Sequence, residues 1–153
     1  MQCKILWFTG LSGSGKTSLS KHISSYLKKK KFKVKKIDGD IFRKKTNVNS
    51  FSKTNITLNN LSIINHIKHI NSHYDYIIVS VISPLRKTRK LAKKKFGKNY
   101  YEIYTKCRLQ ELVRRDTKNL YEKARRKIIK DLIGFNSKIK YESTYYKKIT
   151  VNT

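Results

Sequence analysis

Residues 10 to 17 read Gly-Leu-Ser-Gly-Ser-Gly-Lys-Thr, and half of the chain's six glycines fall within that run. The spacing is GxxxxGK[ST], with a short apolar segment, CKILWF (3–8), before it and residues at helical spacing after it. Glycine allows positive φ and a close approach of backbone to ligand. Successive N–H groups can then turn inward around a phosphate, and the amides of a helix opening at Lys16 add partial positive charge. Gly10, Leu11, Ser12, Gly13, Ser14, Gly15, Lys16 and Thr17 are therefore expected to wrap the phosphates of ATP or GTP. Lys16 would reach the β- and γ-phosphates, and the Thr17 hydroxyl would ligate Mg²⁺. An ordinary glycine turn is disfavoured, because motif and context are both met.

A second group of chemically capable residues follows at IDGDIFR (37–43). Asp38 and Asp40 close a segment that reads as a strand, which would place both at the carboxyl edge of a sheet, where ligands sit in open α/β folds. Two carboxylates there could hold Mg²⁺ with its waters and take a proton from an attacking hydroxyl. Asp-Gly is also a common turn pair, but beside a phosphate loop the functional reading is preferred.

The elements that must position these residues alternate. CKILWF (3–8), FKVKKI (32–37), YIIVSV (76–81), YYEIYT (100–105) and KKITV (147–151) read as strands. Helical spacing follows Lys16 through Leu19, Ile23, Tyr26 and Leu27, and runs over 58–72 through Leu58, Leu61, Ile64, Ile67 and Ile70. Pro84 suits the first turn of a further helix, and LQELVRRD begins another. The segment 118–132 looks helical but basic on most faces, a candidate mobile lid. This alternation predicts an α/β fold of three layers around a parallel sheet, with a basic helical lid, in one domain over 1–153; the glycine motif places that domain with the P-loop NTPase and kinase-type folds.

Composition bounds what the charge can mean. The chain has 37 Lys plus Arg against 9 Asp plus Glu, a formal charge of +28. Only eight of those cations are arginines, while 29 lysines and eleven asparagines accompany many isoleucines. A nucleic-acid surface usually leans on arginine, so compositional bias is favoured over specific nucleic-acid binding. Cys3 and Cys107 match no zinc or redox spacing and read as buried thiols. No leader is recognisable at the N-terminus, and the most apolar stretch is too short to span a bilayer. A soluble, cytoplasmic protein is expected.

With these residues in view, the sequence resembles the adenylylsulfate kinases nearly end to end. The matching segments are GLSGSGKT (10–17), DGDIFR (38–43), FS (51–52), ISPLRKTR (82–89), RDTKNLYEKAR (115–125) and ITVNT (149–153). The resemblance implies transfer of the ATP γ-phosphate to the 3′-hydroxyl of adenylylsulfate, within sulfate assimilation. It implies Asp40 beside the acceptor hydroxyl, Asp38 organising the Mg²⁺ shell and Arg43 on the acceptor's anionic end. Phe51 would stack on the acceptor's base and Asn59 would hydrogen-bond the acceptor. Ser83 matches a serine that is phosphorylated in some members, and Arg86 and Arg89 follow its turn. Arg115 would flank the nucleotide, and Lys118, Lys123 and Arg125 would close over the phosphates as the lid. Dimerisation is common in that family, although no segment here marks an interface.

The departures cluster on the acceptor side. The family's Asp-Arg after the FS segment is Asn55-Ile56, and its Asn-Ile-Arg-Arg is Asn59-Asn60-Leu61-Ser62. Its Phe-Thr-Gly, whose phenylalanine completes an aromatic sandwich on adenine, is Leu132-Ile133-Gly134, which makes Leu132 a candidate acceptor contact. Residues 138–142 keep Tyr-Glu but lack the usual proline. Losing one arginine from an anion clamp removes a charge-assisted bond of about 1.5–3 kcal/mol. Either another cation supplies the grip and adenylylsulfate remains the acceptor, which family breadth favours, or the acceptor is another nucleotide such as the cytidine diphosphoramidate of capsule pathways.

Other classes fit less well. A polynucleotide kinase or nucleic-acid-binding protein should gather arginines and aromatics on one face, whereas here the basic residues occur nearly everywhere. A non-catalytic nucleotide sensor would not need both Asp38 and Asp40. His66, His69 and His73 share a helical face without a carboxylate or cysteine at ligand spacing and read as surface residues. Tyr100, Tyr101, Tyr104, Tyr145 and Tyr146 read as strand and edge packing, and the runs Lys28–Lys31 and Lys93–Lys95 as solvated helix ends.

Overall fold

The computed structural model of the chain describes residues 2–45 and 52–153. Its centre is a parallel sheet whose middle strand is β1 (Lys4–Thr9). The others are β2 (Val34–Asp38), β3 (Tyr76–Ser80), β4 (Tyr100–Lys106) and β5 (Ile149–Asn152). They lie in the order β2-β3-β1-β4-β5, with Trp7 opposite both Val79 and Glu102.

Residues of β1 alternate between two cores, so both faces must be covered, as a parallel sheet requires. Ile5 and Trp7 join Ile63, Ile64 and Ile67 of α3 (Lys53–Ile70) and Ala92 of α4 (Arg86–Phe96). Phe8 points the other way, to Leu27 of α1 (Lys16–Lys29), with Ile78 and Ile103 completing that core. Three short helices lie beyond the strand ends: α2 (Gly39–Lys45), α5 (Leu109–Arg115) and α6 (Leu120–Arg125). No helix among the described residues is long and apolar enough to cross a membrane.

Several local expectations are corrected. The α3 helix begins at Lys53, where the Ser52 side chain accepts from the Asn55 N–H at 3.1 Å. Its buried face is Ile56, Asn59, Asn60, Ile63, Ile64 and Ile67, while Leu58 is exposed. Tyr26 of α1 is exposed too, because Ser24 and Leu27 take the inward positions. Pro84 lies outside α4, whose cap is Leu85; its ring suits the extended entry to the helix. Within 118–132 only Leu120–Arg125 is helical, and buried Tyr121 and Ala124 fasten it down. His66 is half-buried, its ring 5.5 Å from that of Phe42. Both cysteines are half-buried rather than buried. Tyr145 is exposed beneath the Arg86 guanidinium, 3.9 Å from its ring centre.

Candidate active site

The strands end at one edge, and the loops leaving them build the site. Between β1 and α1, Gly10, Gly13 and Gly15 have φ of 145°, 76° and 78°, values that side chains disfavour. A Cβ on Gly10 would stand 2.5 Å from the Thr105 carbonyl oxygen. The loop is fixed from below: Ser14 Oγ lies 2.7 Å from Thr105 Oγ1, which donates to the Thr9 carbonyl at 3.1 Å. It is fixed from the side by Tyr121, whose hydroxyl donates to the Ser12 carbonyl at 2.8 Å.

Lys16 opens α1 and is buried, its Nζ donating to the carbonyls of Gly10 at 3.0 Å and Leu11 at 2.6 Å. Burial lowers its pKa to about 8; the negative charges of Asp40 and Asp38 oppose that shift, and Lys118 adds to it. A buried ammonium without a full counter-charge is a site prepared for an anion. Thr17, Arg115 and Lys118 join the loop around a cavity of about 280 Å³. The side chain of Leu11 turns away, packing among apolar residues and against Gly134. Arg115 is also bound to Glu111 at 2.6 Å.

Asp38 and Asp40 both line this cavity from the end of β2. Asp38 Oδ1 accepts from the N–H groups of Asp40 at 2.9 Å and Ile41 at 3.3 Å, capping α2 and leaving Oδ2 for a cation. Asp40 stands between two cations, with Lys118 Nζ 3.0 Å from Oδ2 and Arg43 Nη2 3.1 Å from Oδ1. Partial burial acts to raise its pKa, but the bond and charge of Lys118, with the charges of Arg43 and Lys16, outweigh it and hold the carboxyl below its ordinary range. Among the described residues no three His, Cys, Asp or Glu gather as a metal cluster.

Asp40 also lines a narrow crevice on its other side, with Arg43, Ile56, Asn59, Ser83 and Ile133. Asn59 is buried and its Oδ1 has no partner among the described residues, so an amide oxygen awaits a donor there. Ser83 is buried with φ 43°, and its Oγ lies 3.5 Å from Thr88 Oγ1. Phe51 lies outside the described residues.

Three sequence candidates stand elsewhere. Leu132 is buried with Leu112, Tyr121 and Ala124, and its neighbour Ile133 lines the crevice instead. Both are buried, and the chain turns directly after them at Gly134, φ 83°. Lys123 and Arg125 are exposed and reach neither cavity, because α6 turns its buried side to the glycine loop; Arg125 pairs with Glu122 at 3.4 Å. Sequence reasoning also missed the buried pair Arg89 and Glu102, 3.4 Å apart. The available signal was a carboxylate in the middle of a strand covered on both faces, which must find a partner.

A family model described as adenylylsulphate kinase matches residues 2–152. A probable adenylyl-sulfate kinase of Archaeoglobus fulgidus is 34% identical over 150 residues, spanning 97% of this chain and 95% of that protein. A cytidine diphosphoramidate kinase of Campylobacter jejuni is 35% identical over 130 residues, 85% of this chain and 76% of that one. Among solved structures, the APS kinase of Mycobacterium tuberculosis in complex with AMPPNP and APS superposes with a TM-score of 0.89 at 31% identity, covering 99% of this chain and 88% of that one.

Proposed function

The chain belongs to the adenylylsulphate kinase family, and from that premise we propose that it transfers the γ-phosphate of ATP to the 3′-hydroxyl of adenylylsulfate. The observation that carries this reading is the place of Asp40, which lines both the glycine-loop cavity and the crevice beside it. A carboxylate at that junction accepts the proton of an acceptor hydroxyl while the loop holds the phosphoryl donor.

Each residue then has a task. The loop amides from Gly10 to Thr17 and the buried Lys16 bind the triphosphate, whose negative charge restores the lysine's preference for its protonated form. Lys118 moves from Asp40 to the phosphates as they arrive, neutralising charge that spreads over the transferring oxygens. Thr17 and Asp38, which both face the cavity, fit the hard oxygen ligands that Mg²⁺ takes, and would hold it there to neutralise phosphate charge. Arg43 grips the acceptor's anionic end, and Asn59 Oδ1 accepts from an exocyclic amine of its base. Ser83 serves as crevice wall, since its hydroxyl is already turned to Thr88. We place this reaction in cytoplasmic sulfate assimilation, carried by one kinase domain.

Ile56 and Ile133 give substance to a second acceptor. Both line the crevice where the family's arginine clamp would be expected, and Leu85 and Ile139 pack behind them. A cytidine diphosphoramidate, which also carries an exocyclic amine, suits that wall. The deciding experiment is ATP consumption by the purified protein with Mg²⁺, comparing the two acceptors. Turnover on adenylylsulfate supports the first reading, and turnover on the cytidine compound alone supports the second. Silence on both while ATP still binds would sink each.

A further inference from the structure

We infer that Arg89, paired with the buried carboxylate of Glu102, is a positioning residue that sets the acceptor crevice by holding the turn at Ile82, Ser83 and Pro84. The inference rests on reading that crevice as the acceptor site. Arg89 is fully buried and lines neither cavity. One arm of its guanidinium donates to the Ser83 carbonyl and the other to the Glu142 carbonyl. Glu142 N–H in turn donates to the Pro84 carbonyl at 2.9 Å. The Ile82 carbonyl accepts from Thr9 Oγ1 at 2.5 Å, and that hydroxyl lies 3.0 Å from Tyr141 Oη. The Tyr141 ring sits beneath the guanidinium, 4.8 Å from its centre. Three successive carbonyls of the crevice wall are thus each held from behind.

The carboxylate end is equally fixed. Glu102 accepts from Thr144 Oγ1 at 2.9 Å, from Tyr146 Oη at 2.5 Å and from Tyr100 Oη at 3.4 Å. A buried ion pair is a poor stabiliser, because desolvation offsets its attraction and well-packed apolar residues often do better. An apolar pair could not hold two carbonyl oxygens in a planar fork, which is what the guanidinium does here. The turn needs such a hold: Ser83 has φ 43°, a conformation that persists in a non-glycine residue only where its surroundings impose it.

The test is Arg89→Lys, which keeps the charge beside Glu102 but loses the fork, read by steady-state kinetics and by a crystal structure of the variant without acceptor. The expected result is a fall of about a hundredfold in kcat/KM for the acceptor, with KM for ATP within about threefold of the parent. The Ser83 backbone should leave the left-handed region. An unchanged Ser83 conformation, or equal losses for ATP and acceptor, would overturn the inference. If Arg89→Lys does not fold, Tyr146→Phe removes a single bond to Glu102 and must show the same split at smaller size; without it the inference fails. A parent protein that turns over neither acceptor would refute the functional reading, while the Ser83 conformation in the variant still decides this one.

Discussion

Asp40 is held by two cations at once, and a base so held is charged but occupied. Lys118 on one oxygen and Arg43 on the other keep the carboxyl ionised at neutral pH, each cation taking one lone pair of the oxygen it faces. In the proposed reaction Lys118 leaves Asp40, and the triphosphate gives it somewhere to go. Asp40→Asn keeps the shape and removes the base, so kcat should fall by about 10²- to 10⁴-fold while ATP binding, measured by calorimetry, persists. Retained turnover would show that positioning alone suffices. Lys118→Ala makes a separate prediction through pH. A carboxylate with a depressed pKa is active above that pKa and is lost as pH falls through it. Removing the lysine takes away the largest lowering influence, so the acid limb of kcat/KM should move to higher pH. A limb that stays in place would mean that Asp40 does not set it.

At the scale of elements, the short helix α6 shows how a charged segment is fastened. The Asp116 carboxylate accepts from the N–H groups of Leu120 at 2.8 Å, Tyr121 at 3.1 Å and Glu122 at 2.8 Å. Burial opposes its ionisation, but these three donors win and hold its pKa below the ordinary range. Asp116→Ala should cost about 1 kcal/mol, as loss of a helix cap does, and should speed amide exchange in α6 without touching the sheet. Uniform exchange across the molecule would count against a locally held lid. Sequence pattern made the strands legible, because Ile5, Trp7, Ile77 and Val79 alternate or run continuously as a doubly covered strand must. The glycine loop and the two aspartates were legible because their chemistry demands particular residue types at fixed spacing. The face of α3 was not, since buried Asn59 and Asn60 carry no apolar signal, and an exposed Leu58 carries a misleading one. Leu132 and Ile133 could not be told apart either: both are buried, and two adjacent apolar residues carry no signal for which one meets the crevice.

The whole molecule carries +28, and its ion pairs do little to offset that. Among the described residues most of the pairs are exposed neighbours on one helix, such as Arg114 with Glu111 and Arg126 with Glu122. Exposed pairs of this kind contribute about 0–1 kcal/mol each. The runs at Lys28–Lys31 and on the outer face of α4 have no acidic partners within their own helices. Like charges at this density repel one another in the compact state and are relieved when the chain expands. Salt screens that repulsion over a Debye length that shortens to about 8 Å at physiological ionic strength. The melting temperature should therefore rise as NaCl is increased from about 10 mM to 300 mM, the reverse of a protein held together by surface ion pairs. The same screening should weaken ATP binding, since Lys16, Arg115 and Lys118 all face the phosphate cavity. A specific polyanion site would behave differently, raising the melting temperature at stoichiometric polyanion even in 300 mM salt. A melting temperature that falls with salt would mean the charges are locally paired after all, and would return the question of a polyanionic partner to the surface that pairs them.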